Sequence, residues 1–447
     1  MGQNRLVGRE KLFKILILSL SFVSILLNLG DAPGEDIMGA RLDYLSGQGS
    51  DFLGGYASAF YGSLPNLFFG WWYYLIILQG ALAGLGLYLL LKNNINRLTS
   101  RQFFLLILFC YFVINLSLAQ TRDGIMISAS LILLSQLKSD RKQSFLITIF
   151  VFCFIFSFRP WLAFAFLPIF YVHLYRFKLI KPIFNVALSL IIVSTPSLIE
   201  TAIVRILEIK PGYPQQTVMI HDLVSTFCLS PISDTRKLAY TGISHLATDK
   251  SSLDKLCYYY KPNTWQSSIT AYPTDQFFPR DLPLLKTIYP GDHELYKKVE
   301  SSWIKLVISD PKSYIQNHLI FFGQVMLGGE SYQFRSSAIS SDLEKYGPLK
   351  QFYKVIGDLY ALPWTFIAQI HLLSPLVTIL FVLVLYSRPS NLIYRRSMTP
   401  FVLTFFVWIT LTILGFVSDN GRYTYLPALL IYSNFLYQCS HNRKLTI

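Results

Sequence analysis

Charge is the scarcest property of this chain. Asp, Glu, Lys and Arg make up 14% of its 447 residues, and only 25 residues are acidic. A soluble chain carries about a quarter charged residues, so the composition argues against a water-facing globular fold. Cysteine is sparse as well. There are five, none in a C-x-x-C pair and none clustered with the 7 histidines, which removes the usual metal-binding frameworks. No small-residue cleavage site of the A-x-A type follows the first apolar run, so that run reads as a retained helix. There is no repeat of fixed period and no low-complexity tract.

What fills the chain instead is apolar. Hydrophobic residues are 53% of it and the mean hydropathy is +0.43. Apolar runs of roughly 15–22 residues recur, about the length that crosses a bilayer. They are continuous and not alternating, which argues against a β-barrel. The expected fold is therefore an all-α polytopic membrane protein with about ten transmembrane helices. The net charge is +14, but many of the Lys and Arg residues sit in short turns between apolar runs. That is the positive-inside pattern, so orientation accounts for the basic balance and no nucleic-acid partner is expected.

The basic turns fix a topology. Arg5, Arg9, Lys11 and Lys14 put the N-terminus in the cytoplasm, and span one, about 12–29, crosses outward. A first external loop over 30–70 follows, with Asp43, Asp51 and a Gly-, Tyr- and Ser-rich run at 54–62. Trp71-Trp72-Tyr73-Tyr74 opens span two, about 71–91, as an interfacial aromatic belt. Lys92, Arg97 and Arg101 mark the turn into span three, about 102–119. Spans four to seven are expected at about 125–137, 144–158, 162–175 and 183–199, completing a seven-span module over residues 1–199.

Residues 200–363 are polar but too rich in Tyr, Trp and Phe for a linker, and are expected as an external, periplasmic subdomain. Within it, Trp303 to about Gly328 reads as one helix at the membrane interface. Cys228 and Cys257 share this segment, and an oxidising compartment would join them as a disulfide; the alternative is two buried free thiols. Arg388, Arg395 and Arg396 make the next turn cytoplasmic. Spans at about 365–386, 400–417 and 424–438 then form a C-terminal three-span segment over 364–447.

The outer span ends carry the unusual charges. Asp31, Glu35 and Asp36 follow span one, Arg122-Asp123 follows span three, Arg159 follows span five, and Asp419 with Arg422 follows span nine. Arginine is depleted at outer ends, so three of them there need a reason. One reason is phosphate, whose oxygens a guanidinium fork matches bidentately. Each group also has a local reading. Arg122 and Asp123 can pair at a helix start, Arg159 can snorkel from a helix end, and Asp31 can cap a turn.

In this order of parts the chain resembles the GT-C superfamily of polytopic glycosyltransferases, the group that includes protein O-mannosyltransferases and the lipid A aminoarabinose transferase. Members share a seven-span module with a long first external loop and an acidic motif, often Asp-Glu, near its start. The counterpart here is Glu35-Asp36, in reversed order, after Pro33. Thr121-Arg122-Asp123, Arg159-Pro160, Arg422-Tyr423 before Pro427, and Trp303 through Asp310-Pro311, Tyr314 and His318 are similar to pieces of bacterial members. The stretch 205–300 matches nothing in the family.

The resemblance implies an inverting transfer of a sugar from a polyprenyl-phosphate donor to a glycan or lipid acceptor at the outer face of a bacterial inner membrane. Asp36, Glu35 and Asp31 are the candidates for general base, in that order. Arg122, Arg159 and Arg422 are the candidates for holding the donor phosphate. Asp123, Tyr423 and His318 are further site candidates. Some relatives use a divalent cation, and the three acidic residues offer ligands for one, but nothing in the sequence demands a metal. A membrane polysaccharide polymerase or ligase is the alternative; it would carry its large loop between late spans and no acidic pair after span one. A lipid-linked-sugar transporter or flippase would instead show mid-membrane charges and inverted repeats.

Overall fold

A computed structural model describes residues 2–28, 56–57, 59–61, 63, 71–92, 95–118, 122–137, 142–176, 182–209, 213, 215–248, 250–259, 270–271, 284–286, 288, 291–327, 355, 374–387, 392–415 and 422–441. Asp31, Glu35 and Asp36 lie outside these residues.

Among the described residues seven longer helices and two 3-10 turns run through the N-terminal module. They are α1 (Gly2–Asn28), α2 (Trp71–Leu91), α3 (Ser100–Ser117), α4 (Arg122–Leu137), α5 (Lys142–Phe156), α6 (Leu167–Arg176) and α7 (Pro182–Ile206). The 3-10 turns are Ile95–Arg97 and Pro160–Phe166. In hydrocarbon a chain must satisfy its own backbone, and these sequences do so as helices. Among the described residues three helices are long and apolar enough to cross a bilayer: Tyr74–Leu91, Ser100–Ser117 and Pro182–Ile206. The other apolar helices are shorter. Most bounds fall near those expected, but four differ. The expected span at 12–29 starts already at Gly2, and the one at 400–417 starts at Leu392, which puts Arg395 and Arg396 of the expected turn on that helix. The expected span at 162–175 opens as a 3-10 turn, because Pro160 and Pro168 interrupt regular helical pairing there. The expected span at 183–199 continues as helix through Ile206, which puts Glu200 on α7.

Local chemistry starts and fastens these helices. Thr99 closes a capping box on α3: its hydroxyl accepts from the Gln102 N–H at 3.2 Å, and Gln102 Oε1 accepts from the Thr99 N–H at 2.9 Å. Arg9 of α1 donates to the Leu98 carbonyl at 2.5 Å, so the basic start of α1 and the basic turn after α2 share one end of the bundle. Close approach is built with glycine. A Cβ on Gly84 of α2 would lie 2.5 Å from Ser21 Oγ of α1. One on Gly86 would lie 2.6 Å from Leu131 Cβ and 3.0 Å from the Ile132 backbone nitrogen of α4.

A second helical body follows, with a core of its own that includes Leu223, Val224, Ile243, Leu256, Leu285 and Val299. It is built from α8 (Gln216–Leu229), α9 (Ser233–Ser244), α10 (Lys250–Tyr259) and α11 (His293–Ser309). A disulfide joins Cys228 of α8 to Cys257 of α10, with Cα atoms 5.2 Å apart. Among the described residues the body also carries a two-residue parallel pair, β1 (Thr270–Ala271) and β2 (Leu285–Lys286), in register Thr270 to Leu285, and an isolated antiparallel bridge between Ala247 and Leu285. The Gln216 amide anchors the chain just beyond it, accepting from the Ile288 N–H at 2.6 Å and donating to the Ile288 carbonyl at 3.1 Å.

The single helix expected from Trp303 to Gly328 is two helices, α11 and α12 (Pro311–Leu327). Pro311 has no N–H to extend α11, and Asp310 caps the new start. Its carboxylate accepts from the Ser313 N–H at 3.0 Å and from the Ser313 hydroxyl at 2.6 Å. Those bonds hold the Asp310 carboxyl below its ordinary range. Beyond α12 come α13 (Pro375–Ser387), α14 (Leu392–Gly415) and α15 (Arg422–His441). Trp408 and Phe405 of α14 are fully buried in the same core as Phe156 and Phe166 of the N-terminal module. Thr378 and Phe381 of α13 meet Tyr432 of α15, while Met398 near the start of α14 meets Asn434 in the later half of α15. Helices α13 and α15 therefore run one way and α14 the other.

Candidate functional site

Two groups of side chains stand out from the apolar background. The first lies where α5 ends. The chain leaves α5 through Ser157 and Phe158, and Arg159 caps the 3-10 turn with its backbone carbonyl accepting from the Leu162 N–H at 3.1 Å. The Arg159 side chain is 4% exposed, so a guanidinium is held inside the protein at a helix end. Over this end lies a piece of the first loop. Tyr56, Phe60 and Tyr61 pack on Phe158 with ring centroids 4.9, 5.3 and 5.8 Å away, and Tyr61 is fully buried. The piece is fastened from α7: Glu200 Oε2 accepts from the Tyr56 N–H at 2.7 Å. The described residues of the loop thus pack on Phe158, the chain neighbour of Arg159.

Of the other arginines, Arg122 opens α4 and Arg422 opens α15. The two helices pack together where Ile127, Ser130 and Leu134 face Leu426, Leu430 and Ser433. Helix α4 also packs on α5, so all three arginines stand on neighbouring elements. Asp123 and Tyr423 each follow their arginine in the first turn of the same helix. Glu200 is a residue that sequence reasoning missed. Its signal was a lone carboxylate at the end of an apolar run.

The second group lies in the helical body, and His318 belongs to it. Asp222 of α8 is 1% exposed. Its Oδ2 accepts from Trp303 Nε1 of α11 at 2.8 Å, and its Oδ1 lies 3.1 Å from His318 Nε2 of α12. His221 Nδ1 is 3.9 Å from the same Oδ1. Tyr314 covers His318 with ring centroids 4.4 Å apart. Burial alone would raise the Asp222 carboxyl, but the His221 and His318 imidazoles beside it outweigh that and hold it below its ordinary value. The anion in turn pushes Tyr314 up, adding to the effect of burial there. Chemically this is a buried carboxylate set against a ring nitrogen of an imidazole, and with the Trp303 bond it brings α8, α11 and α12 together. His318 was legible in the sequence and its partner was not. The signal for Asp222 was that it is the one carboxylate, directly after a histidine, in the otherwise uncharged helix α8.

Among the described residues no group of three His, Cys, Asp or Glu side chains is arranged to hold a metal ion. No protein-family model, no curated protein and no solved structure matches this chain.

Proposed function

We propose that the chain is an integral-membrane glycosyltransferase of the GT-C type, which moves a sugar from a polyprenyl-phosphate donor to a glycan or lipid acceptor at the outer face of a cell membrane. The observation that carries this reading is the buried Arg159 side chain at the end of α5, next in the chain to Phe158, on which the first-loop residues fastened by Glu200 pack. A buried cation at a helix end suits a lipid-phosphate leaving group, whose charge develops in the transition state. In this reading the chain has ten spans, both termini are cytoplasmic, and residues 200–363 lie outside. The shared end of Arg9 and Leu98 supports it, because it gathers basic residues on one side.

The reaction is a single displacement. A carboxylate of the first loop, Asp36 before Glu35 or Asp31, takes the proton of the acceptor hydroxyl. The freed oxygen attacks the anomeric carbon and the bond from that carbon to the phosphate oxygen breaks. The phosphate leaves with the electron pair, held by Arg159 with Arg122 and Arg422. The anomeric centre inverts.

Transfer from a polyprenyl-phosphate sugar in membranes tests this. Asp36→Asn keeps the side-chain shape and removes the base, so the rate should fall about 10²–10⁴-fold at unchanged expression. Asp31→Asn should be milder. Near-normal transfer by both Asp36→Asn and Glu35→Gln would move the base to Asp31 or Asp123. Full activity of Arg159→Gln would remove the phosphate site and with it the reading.

A further inference from the structure

The elbow between α11 and α12 exposes four large aliphatic side chains. Ile304 and Ile308 stand one turn apart on α11, 43% and 75% exposed. Ile315 and Leu319 stand one turn apart on α12, 54% and 58% exposed. Each pair has the four-residue spacing that makes a continuous stripe on one helix face. The opposite face of α11 is accounted for, since Tyr296, Val299 and Leu306 are buried in the core of the body.

Charge accompanies the stripe. Lys297 and Lys298, early in α11, are tied to Glu300 at 2.6 Å and Glu294 at 2.9 Å. Lys305 and Lys312 flank the elbow and are exposed; Lys312 lies near enough to Asp310 to help lower its carboxyl. The elbow also adjoins apolar helices, because α12 packs on α13 and α14. On α13, Leu380, Leu383 and Val384 are exposed in the manner of lipid-facing residues.

We infer that this elbow is a lipid-docking surface: Ile304, Ile308, Ile315 and Leu319 sit in the interfacial layer of the bilayer, with the ammonium groups of Lys305 and Lys312 at lipid phosphates. An apolar stripe edged by lysine is the composition that lies in a membrane interface, with the aliphatic stems following the apolar surface and the charged ends in the headgroups. The docking seats the helical body on the membrane through a contact separate from the arginine site. The inference rests on the membrane reading but not on the transferase reading.

The test is depth-dependent quenching on the full chain in lipid nanodiscs. Ile308→Cys and Ile315→Cys are labelled with bimane, and phosphatidylcholine spin-labelled near the headgroup is the quencher. Lys297→Cys, eleven residues up α11 and about 16 Å along its axis, is the control. Docking predicts at least twofold quenching at Ile308→Cys and Ile315→Cys and little at Lys297→Cys. Adding phosphatidylglycerol should deepen it, and Lys305→Gln with Lys312→Gln should remove that gain. Equal quenching at positions 297 and 308, or none at 308, overturns the proposal. So does shielding of Ile308→Cys from an aqueous quencher without quenching by the lipid, which assigns the stripe to a second copy of the chain. Sugar transfer plays no part in the readout, so either idea can fail alone.

Discussion

The Asp222 carboxylate and the His318 imidazole meet at 3.1 Å across two helices, with Asp222 1% exposed. A depressed carboxyl in the folded state binds its proton less readily than in the unfolded chain. It therefore stabilises the fold above the ordinary carboxylate range, and the contribution is lost as pH falls through the folded value. Asp222→Asn keeps an acceptor for Trp303 but loses the anion facing His318. We expect it to cost about 1–3 kcal/mol at neutral pH. The gap to the native chain should close as pH falls below about 4. Thermal unfolding of both proteins across that range measures it, and a gap that widens toward acid would contradict the assignment.

The disulfide between Cys228 and Cys257 closes a loop of 29 positions between α8 and α10. Replacing both residues by serine should lower the stability of the helical body by about 2–4 kcal/mol. Maleimide labelling of the denatured chain should gain two thiols after reduction. The same thiol count before and after would show that the pair is not joined.

The glycine contacts make a graded prediction. Gly86→Ala drives a methyl group into the backbone of α4, which has no rotamer with which to yield, and should cost about 1–3 kcal/mol. Gly84→Ala comes too close only to the Ser21 hydroxyl, which can rotate, with Ser21 Cβ and Ile17 Cγ2 at ordinary contact, and should cost less. Gly8→Ala has nothing within 4 Å and should be silent. Unfolding in detergent ranks the three. An Ala at position 86 as stable as the native glycine would mean that α2 and α4 do not approach as described.

Glu200 makes the fourth. Its bond to the Tyr56 N–H spans 144 positions of sequence. Glu200→Ala removes the acceptor, and a lost hydrogen bond to a charged partner is worth about 1.5–3 kcal/mol. Amide exchange at Tyr56 should then quicken about tenfold or more. Glu200→Gln, which keeps an acceptor oxygen, should exchange nearly as the native chain does. Unchanged exchange in Glu200→Ala would mean that the loop is held by other contacts.

The sequence by itself determined the helical class and most helix positions. Apolarity is a local property, and an uncharged stretch such as Trp71–Leu91 reads the same at every level. The break at Asp310-Pro311 was legible too, because proline cannot continue α11, yet the apolar pattern on both sides favoured a single helix there. The tertiary structure alone decided which side chains meet. Whether Asp222 faces His318, or Glu200 faces Tyr56, depends on how each helix is rotated about its axis and which neighbour it packs on. A 3.6-residue period turns a change of one position into about 100° around the axis, so spacing within one segment carries no information about its partner in another.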